Sequence, residues 1–369
     1  MTVDGLTAAV AALPDPSMPD TDLPRTAIVL FNLGGPDGMD AVGPFLKNLF
    51  TDPAILRVPF FIRPFLARWI ARARRAPARA NYALMGGKSP LLELTERQAK
   101  ALAARFSDPV RVFIAMRYWH PFSTETARAV AAWKPDRVLL LPLYPQFSTT
   151  TTASSLAAWR EAAARAGLAA EVTTLCCWSD DPGYIAATAA LVRRAIAAAR
   201  ARLAPGTPLR LLFSAHGLPE VIVKGGDPYQ AQVEASARAI AAALDEPDLD
   251  WRVCYQSRAT PQKWLEPSTE AEIARAGEEG VALVVAPIAF VSDHSETLVE
   301  LDIEYAEVAK KHGVPGYFRV PAQNDEPDFI AALAALAQAA LARGPGLCSH
   351  QGGRLCAAHH RGCPFGDRS

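Results

Sequence analysis

Residues Pro287–Tyr305 read PIAFVSDHSETLVELDIEY. The apolar run Val281–Phe290 stops at Ser292-Asp293-His294, and an acidic helix begins there. A short apolar run that ends in a polar turn and then a helix is the strand-to-helix unit of an α/β protein. Asp293, Glu296 and Glu300 are spaced by three and then four residues, which on an α-helix places all three carboxylates on one face. Like charges so placed repel by about 0.2–0.5 kcal/mol per pair, so helix stability does not account for them. A column of carboxylates at the carboxyl end of a buried strand suits the movement of protons or of a cation. The alternative is capping: Asp293 or Ser292 closes the helix start, and the acids favour its positive end.

A second strand end supports the first reading. Arg210–Glu220 reads RLLFSAHGLPE. Gly217 and Pro219 force a turn, which puts His216 at the carboxyl end of a buried strand. In open α/β sheets that edge is where ligands bind.

The same alternation runs through the chain. Apolar runs at Thr26–Leu33, Val110–Met116, Arg137–Leu143, Glu171–Cys176, Leu209–Phe213, Arg252–Gln256, Val281–Ile288 and Gly316–Val320 read as strands. Helices fill Leu91–Phe106, Ser154–Ala166, Tyr184–Leu203, Pro228–Leu244, Thr269–Ala276, Ser295–Lys311 and Asp328–Ala342. Strand–helix alternation predicts parallel sheets covered on both faces, and eight strands divide into two groups of four. The first crossover falls near residue 180. The expected layout is a disordered tail (1–24), a first domain (25–180), a second domain (181–324), a helix packing back on the first domain (325–343) and a cysteine-rich tail (344–369).

With 369 residues, half of them apolar, the chain can bury one large core or two smaller ones. A net charge of zero argues against a nucleic-acid binder. No apolar run reaches the roughly 18 residues needed to span a bilayer. Residues 1–24 carry Asp4, Asp15, Asp20 and Asp22 with no Lys or Arg, unlike a secretory signal or an organelle transit peptide. The expected location is the cytoplasm or the inner face of a membrane. Gly34-Gly35 is followed directly by Pro36, so the phosphate-binding glycine spacing is absent and no nucleotide is expected.

Taken together, SAHGLP, YQSR and PIAFVSDHSETLVELDIEY closely resemble the ferrochelatases, the metal-inserting enzymes that end haem synthesis. FNLGGPD (Phe31–Asp37) and LYPQFSTTTTASS (Leu143–Ser155) are similar to the same family, and the resemblance runs from about residue 25 to about 340. It implies the chelatase fold: two Rossmann-like domains, each a four-stranded parallel sheet flanked by helices, with an active-site cleft between them. It implies insertion of Fe²⁺ into protoporphyrin IX with loss of two protons and no nucleotide. Coproporphyrin III as substrate, a cobalt chelatase of the corrin branch and a non-catalytic tetrapyrrole carrier are the rivals. That corrin branch usually lacks the full SDHSETLVELDIEY run.

Residue by residue, His216 matches the family's active-site histidine, as proton acceptor or metal ligand, and Glu296 its catalytic glutamate. Asp293, His294 and Glu300 border the pair as relay candidates, with a structural role at the helix start equally open to His294. Arg117, Tyr118 and Trp264 match pocket residues, although Arg117 also reads as half of a buried ion pair. Leu56 falls where the family sets a side chain against the macrocycle, and Ser89 is expected near a propionate.

Residues 54–79 stand apart. Arg57–Arg79 holds seven arginines and no acid, interleaved with Phe60, Phe61, Ile62, Phe65, Leu66, Trp69 and Ile70. That is the composition of an interfacial membrane helix, or of a packed helix with a solvated Arg face. A lip of this kind could collect porphyrin from an anionic membrane. The tail reads CSHQGGRLCAAHHRGCPFG. Many ferrochelatases bind a [2Fe–2S] cluster through three C-terminal cysteines and one distant cysteine, and Cys348, Cys356 and Cys363 fit that plan. Thr149 stands where animal members carry the distant cysteine, so the fourth ligand is Cys177 or Cys176, with mid-strand Cys254 less suited. Zinc on three cysteines and a histidine, or a free redox-sensitive tail, are the alternatives. Both a monomer and a homodimer are open.

Overall fold

Strands with no polar face are satisfied only inside a sheet covered on both sides. β1 (Thr26–Asn32) is buried at every position, and so is β7 (Ala282–Pro287). In the computed structural model, which describes residues 24–107, 109–257 and 262–366, such strands form two wholly parallel sheets. The first has the order β2-β1-β3-β4-β9, with β2 at Val110–Met116, β3 at Arg137–Pro142, β4 at Glu171–Leu175 and β9 at Gly346–Cys348. The second has the order β6-β5-β7-β8, with β5 at Leu209–His216, β6 at Asp250–Gln256 and β8 at Tyr317–Arg319. The helices in chain order are α1 (Val42–Thr51), α2 (Arg63–Leu84), α3 (Leu91–Ala103), α4 (Ser123–Trp133), α5 (Thr152–Arg165), α6 (Pro182–Arg202), α7 (Glu220–Lys224), α8 (Tyr229–Ala243), α9 (Thr269–Glu279), α10 (Tyr305–Lys311) and α11 (Pro327–Ala342). A π-helix, Glu296–Glu304, runs directly into α10.

Two expectations change. The first sheet has five strands rather than four, because the cysteine-rich tail returns as β9 and pairs with β4 through Thr173–Gly346, Thr174–Leu347 and Leu175–Cys348. A three-residue strand leaves no periodic signal in a sequence. The acidic segment after β7 is a π-helix, not an α-helix, and it begins only at Glu296. The expected tail 1–24 lies, apart from its last residue, outside the described residues.

The two sheets share one core. Ile28, Leu139 and Leu141 of the first belong to the same packed cluster as Leu211, Phe213 and Val284 of the second. α6 makes the crossing between them; Asp181 caps it by accepting from the Tyr184 amide at 3.0 Å. α11 packs on α6 and α3 and lies against β3 and β4. At the seam, the Trp178 ring sits 6.2 Å from Phe329 of α11, and its indole N–H donates to the Pro142 carbonyl at 2.9 Å. The Ile288 carbonyl, just past β7, accepts from Gln146 and from the Tyr184 hydroxyl, both at 3.0 Å. The end of a second-sheet strand is thus held by groups of the first half and of the crossover helix.

Candidate active site

Parallel strands bring all their carboxyl ends to one edge. β5 and β7 are neighbours in the second sheet, so His216 at the end of β5 and the segment after β7 meet there. His216 Nδ1 lies 2.8 Å from Glu296 Oε2. Their side chains keep 32% and 26% exposure, so the pair is sheltered yet reachable. Glu296 opens the π-helix, and a π-helix turn in such a place is a frequent mark of a functional site.

β6 supplies the brace. Gln256 Nε2 donates to the Glu296 carbonyl at 3.0 Å and to Glu300 Oε2 at 3.1 Å, while its Oε1 accepts from Ser214 of β5 at 2.9 Å. Glu300 also accepts from Ser257 at 2.5 Å and from the Tyr305 hydroxyl at 2.8 Å. Trp264 and Phe290 stand edge-on to His216, with centroids 6.4 and 6.3 Å from the imidazole.

These surroundings drive the charges apart. Burial alone would lower the His216 pKa, but the facing Glu296 carboxylate, with Glu300 behind it, raises it above the ordinary value. Burial would raise Glu296, and the opposed imidazole brings it below the ordinary carboxylate value. Glu300 moves the other way: burial first, then repulsion by Glu296, raises it. Two carboxylates one turn apart therefore hold protons differently, which is the pattern of groups that divide acid and base work.

The other candidates fall into three groups. Asp293 does not join the column: it lies before the helix, where Arg319 pairs with it at 2.9 Å and Asn324 donates to it at 2.8 Å. His294 closes the helix start. Its carbonyl accepts from Thr297 and Leu298, and its Nδ1 accepts from the Glu296 amide at 3.0 Å. Its Nε2 is buried with no hydrogen-bond partner among the described residues, and burial lowers its pKa. Arg117 and Tyr118 converge on the buried carboxylate of Asp52, at 2.7 and 2.8 Å, with Ser154 as a third donor. Arg117 thus forms the ion pair that was one of its two expected roles. Ser89 precedes α3, accepts from the Leu91 amide at 3.3 Å, and faces Gly35 so closely that a Cβ there would meet its hydroxyl oxygen at 2.4 Å. Leu56 is half-buried in the loop before α2, where Arg63 holds the Leu56 and Val58 carbonyls at 3.1 and 2.8 Å. Tyr82 of α2 hydrogen-bonds Ser295 beside the π-helix, and burial pushes its phenol up to about 12.

Sequence reasoning did not assign Gln256, Phe290, Tyr305 or Asp52. Gln256 lies within YQSR, and Phe290 and Tyr305 within the opening stretch, so the motifs contained them without separating their roles. Asp52 carried no signal of its own.

The cysteines gather at the far end of the first sheet. Cys176 and Cys177 follow β4, with their sulfurs 3.2 Å apart. The Cys176 amide donates to the Cys348 carbonyl at 2.8 Å, and the His350 amide to the Cys177 carbonyl at 3.1 Å. The Cys176, Cys177, Cys348, Cys356 and Cys363 thiols lie close enough for their charges to interact. Burial and neighbouring sulfur raise Cys356 to about 12. Cys254 is buried in β6, where Thr269 donates to it at 3.3 Å. Among the described residues, no group of three or more His, Cys, Asp or Glu stands in metal-holding geometry.

Two parallel sheets flanked by helices thus carry an imidazole–carboxylate pair at their strand ends. The structure titled SirB from Bacillus subtilis with Fe3+ shares the fold, with a TM-score of 0.50 at 13% identity over 86% of this chain and 96% of that one. A family model described as Ferrochelatase matches residues 25–341. Proteins named ferrochelatase from Caulobacter vibrioides and Phenylobacterium zucineum are each 52% identical to this chain. They cover 92% of it, and 97% and 99% of their own lengths. The chain belongs to the ferrochelatase family, whose work is the metal insertion of haem synthesis.

Titration of histidine-labelled protein by NMR should give His216 a pKa above the ordinary value of about 6.5. Glu296→Gln should lower it, because the facing charge is gone while burial remains. A His216 pKa unmoved by Glu296→Gln would show that the carboxylate does not set it.

Proposed function

We propose that the chain is a protoporphyrin ferrochelatase, a lyase that inserts Fe²⁺ into protoporphyrin IX to give protohaem and two protons. The observation that carries this reading is the His216–Glu296 contact at 2.8 Å, with the two pKa values displaced in opposite directions. Porphyrin metallation needs removal of two pyrrole N–H protons, delivery of the metal and a wall for the flat ring. With Nδ1 turned to Glu296, the neutral imidazole offers Nε2 to a pyrrole N–H. His216 takes the proton and Glu296 stabilises the imidazolium. Glu300, whose pKa is raised, is the next acceptor outward and passes protons toward Tyr305, Ser257 and solvent. An arriving Fe²⁺ repels the imidazolium proton, so metal entry and proton departure favour each other. His216 and Glu296 are suited to touch the metal as borderline nitrogen and oxygen donors. Trp264 and Phe290 supply aromatic walls.

Protoporphyrin is preferred to coproporphyrin because a tetrapropionate needs more cations in the pocket. Arg117 is committed to Asp52 and Arg63 to backbone carbonyls. A carrier would need neither the pair nor its brace.

The lip reading rests on exposure. Phe60, Phe65 and Trp69 are 79%, 72% and 68% exposed, whereas Ala67 and Ala71 form the packed side of α2. Apolar rings facing outward among Arg68, Arg72 and Arg75 suit the boundary of an anionic bilayer. No helix among the described residues is long and apolar enough to cross a membrane; the attachment proposed on the exposed face of α2 is peripheral, at the inner face.

The tail chemistry suits a [2Fe–2S] cluster. Cys176, Cys177, Cys348 and Cys363 are buried and Cys356 half-buried, all free thiols near one end of the first sheet, and four thiolates complete such a centre. Cys348, Cys356, Cys363 and Cys177, with Cys176 as the alternative fourth, would hold it. Such a group would supply an ordering centre for the tail.

Four measurements test these readings. Anaerobic assays with Fe²⁺ should show faster loss of fluorescence for protoporphyrin IX than for coproporphyrin III. His216→Ala should lower the rate by about 10²–10⁴-fold while porphyrin binding persists; near-normal turnover would overturn the assigned base. Pelleting with anionic vesicles should weaken as salt rises, and salt-independent pelleting or none would remove the lip from the account. Purified protein should contain iron and sulfide with a coloured visible spectrum, and zinc in their place would reassign the tail.

A further inference from the structure

The tail does not stop at the first sheet. Its early part pairs with β4 as β9, and Thr173 donates to the Gly344 carbonyl at 2.8 Å. Its later part crosses to the start of α8, beside the second sheet. The Gly362 amide donates to the Gly226 carbonyl at 3.0 Å, and Gln232 Nε2 donates to Cys356 Sγ at 3.2 Å. Gly226 has φ +96°, and a Cβ there would meet the Arg361 amide nitrogen at 2.8 Å, so the approach of the tail depends on glycine at this position.

The start of α8 then touches the active site. Tyr229, its first residue, is buried and donates its hydroxyl to the His216 carbonyl at 2.9 Å. β5 ends at His216, so this carbonyl relies on a side chain for its hydrogen bond. Asp227 fixes the turn before α8. It is 2% exposed and accepts from Ser148, from the Thr149 amide and hydroxyl, and from the Tyr229 amide. Gln232 lies three residues on and accepts from the Phe147 amide at 2.7 Å. One turn of helix therefore carries the hydrogen bond to His216 and the hydrogen bond to the tail.

We infer that the first turn of α8 is a strut by which the folded cysteine tail positions His216, with Tyr229 as the positioning residue and Gln232 as its link to the tail. Releasing Cys356 from Gln232 lets the turn shift, and Tyr229 transmits the shift to the backbone of His216. A displaced imidazole binds the same porphyrin but meets its pyrrole protons less often. The inference rests on the reading of His216 as proton acceptor, but its structural readout does not need turnover.

Four variants of the full-length protein decide it: Tyr229→Phe, Gln232→Ala, Gln232→Glu and the double variant Tyr229→Phe/Gln232→Ala. The readouts are the His216 side-chain NMR signal at fixed pH, kcat and the KM for porphyrin. Tyr229→Phe keeps the buried ring and should move the signal, with kcat down about tenfold and KM unchanged. Gln232→Ala should move the same signal the same way by less. Gln232→Glu keeps an acceptor for the Phe147 amide and removes the donor to Cys356 but adds a carboxylate, so the link to the tail is credited only with a shift that Gln232→Ala, which adds no charge, also shows in the same direction. In the double variant the Gln232 change should add nothing, because the strut is already broken. A His216 signal untouched by Gln232→Glu overturns the link to the tail. Additive shifts in the double variant overturn transmission through Tyr229. A wild-type protein that never metallates porphyrin, yet shows the non-additive shifts, would refute the assigned reaction and leave the strut standing.

Discussion

The structure depends on a contact between the ends of two neighbouring strands. β5 and β7 run parallel and in register, so His216 and the segment entering the π-helix reach the same edge of the sheet. A half-buried imidazole and a half-buried carboxylate each disfavour their charged forms alone. At 2.8 Å each makes the other's charge tolerable. Neither element is free to drift, because Gln256 of β6 grips β5 at Ser214 and the π-helix at Glu296 and Glu300. Three adjacent strands thus converge on one imidazole–carboxylate centre, and neighbouring side chains supply most of its hydrogen bonds.

The second constraint is the seam between the two sheets. Two separately stable domains would let a site at their junction open and close freely. Here one apolar cluster runs through both sheets, and α6, α11 and the tail all bridge them. Trp178, Phe329 and the shared acceptor at Ile288 hold the end of β7 against the first half. α2 reaches the same place from outside through Tyr82 and Ser295.

Much of this was legible in the sequence because it is written in periodicity and punctuation. Val, Ile and Leu runs ending in Gly, Pro or Ser mark buried strands, and seven of the eight expected strands agree with the structure to within two residues at each end. β5 instead runs three residues further, to His216 itself. The roles of Arg117 and Asp293 were less legible. An arginine after a strand gives no sign of its partner, and the aspartate that Arg117 meets lies 65 residues away. Asp293 shares the three–four spacing of its neighbours, but Arg319, from β8, takes it out of the column. α1 lacks a capping side chain and carries Gly43 and Pro44 in its first turn, so local signals run against a helix that packing on α2 imposes.

The sequence alone determined which segments are buried, that strands and helices alternate, and where a histidine and an acidic run fall relative to strand ends. These are local properties, set by side-chain chemistry over a few residues at a time. Tertiary structure decided which charge faces which, that the acidic helix is wound as a π-helix, and that the tail closes the first sheet and reaches across to α8. Each of these is a contact between residues far apart in the chain. Such contacts are chosen by the packing of the whole core, and no local pattern encodes them.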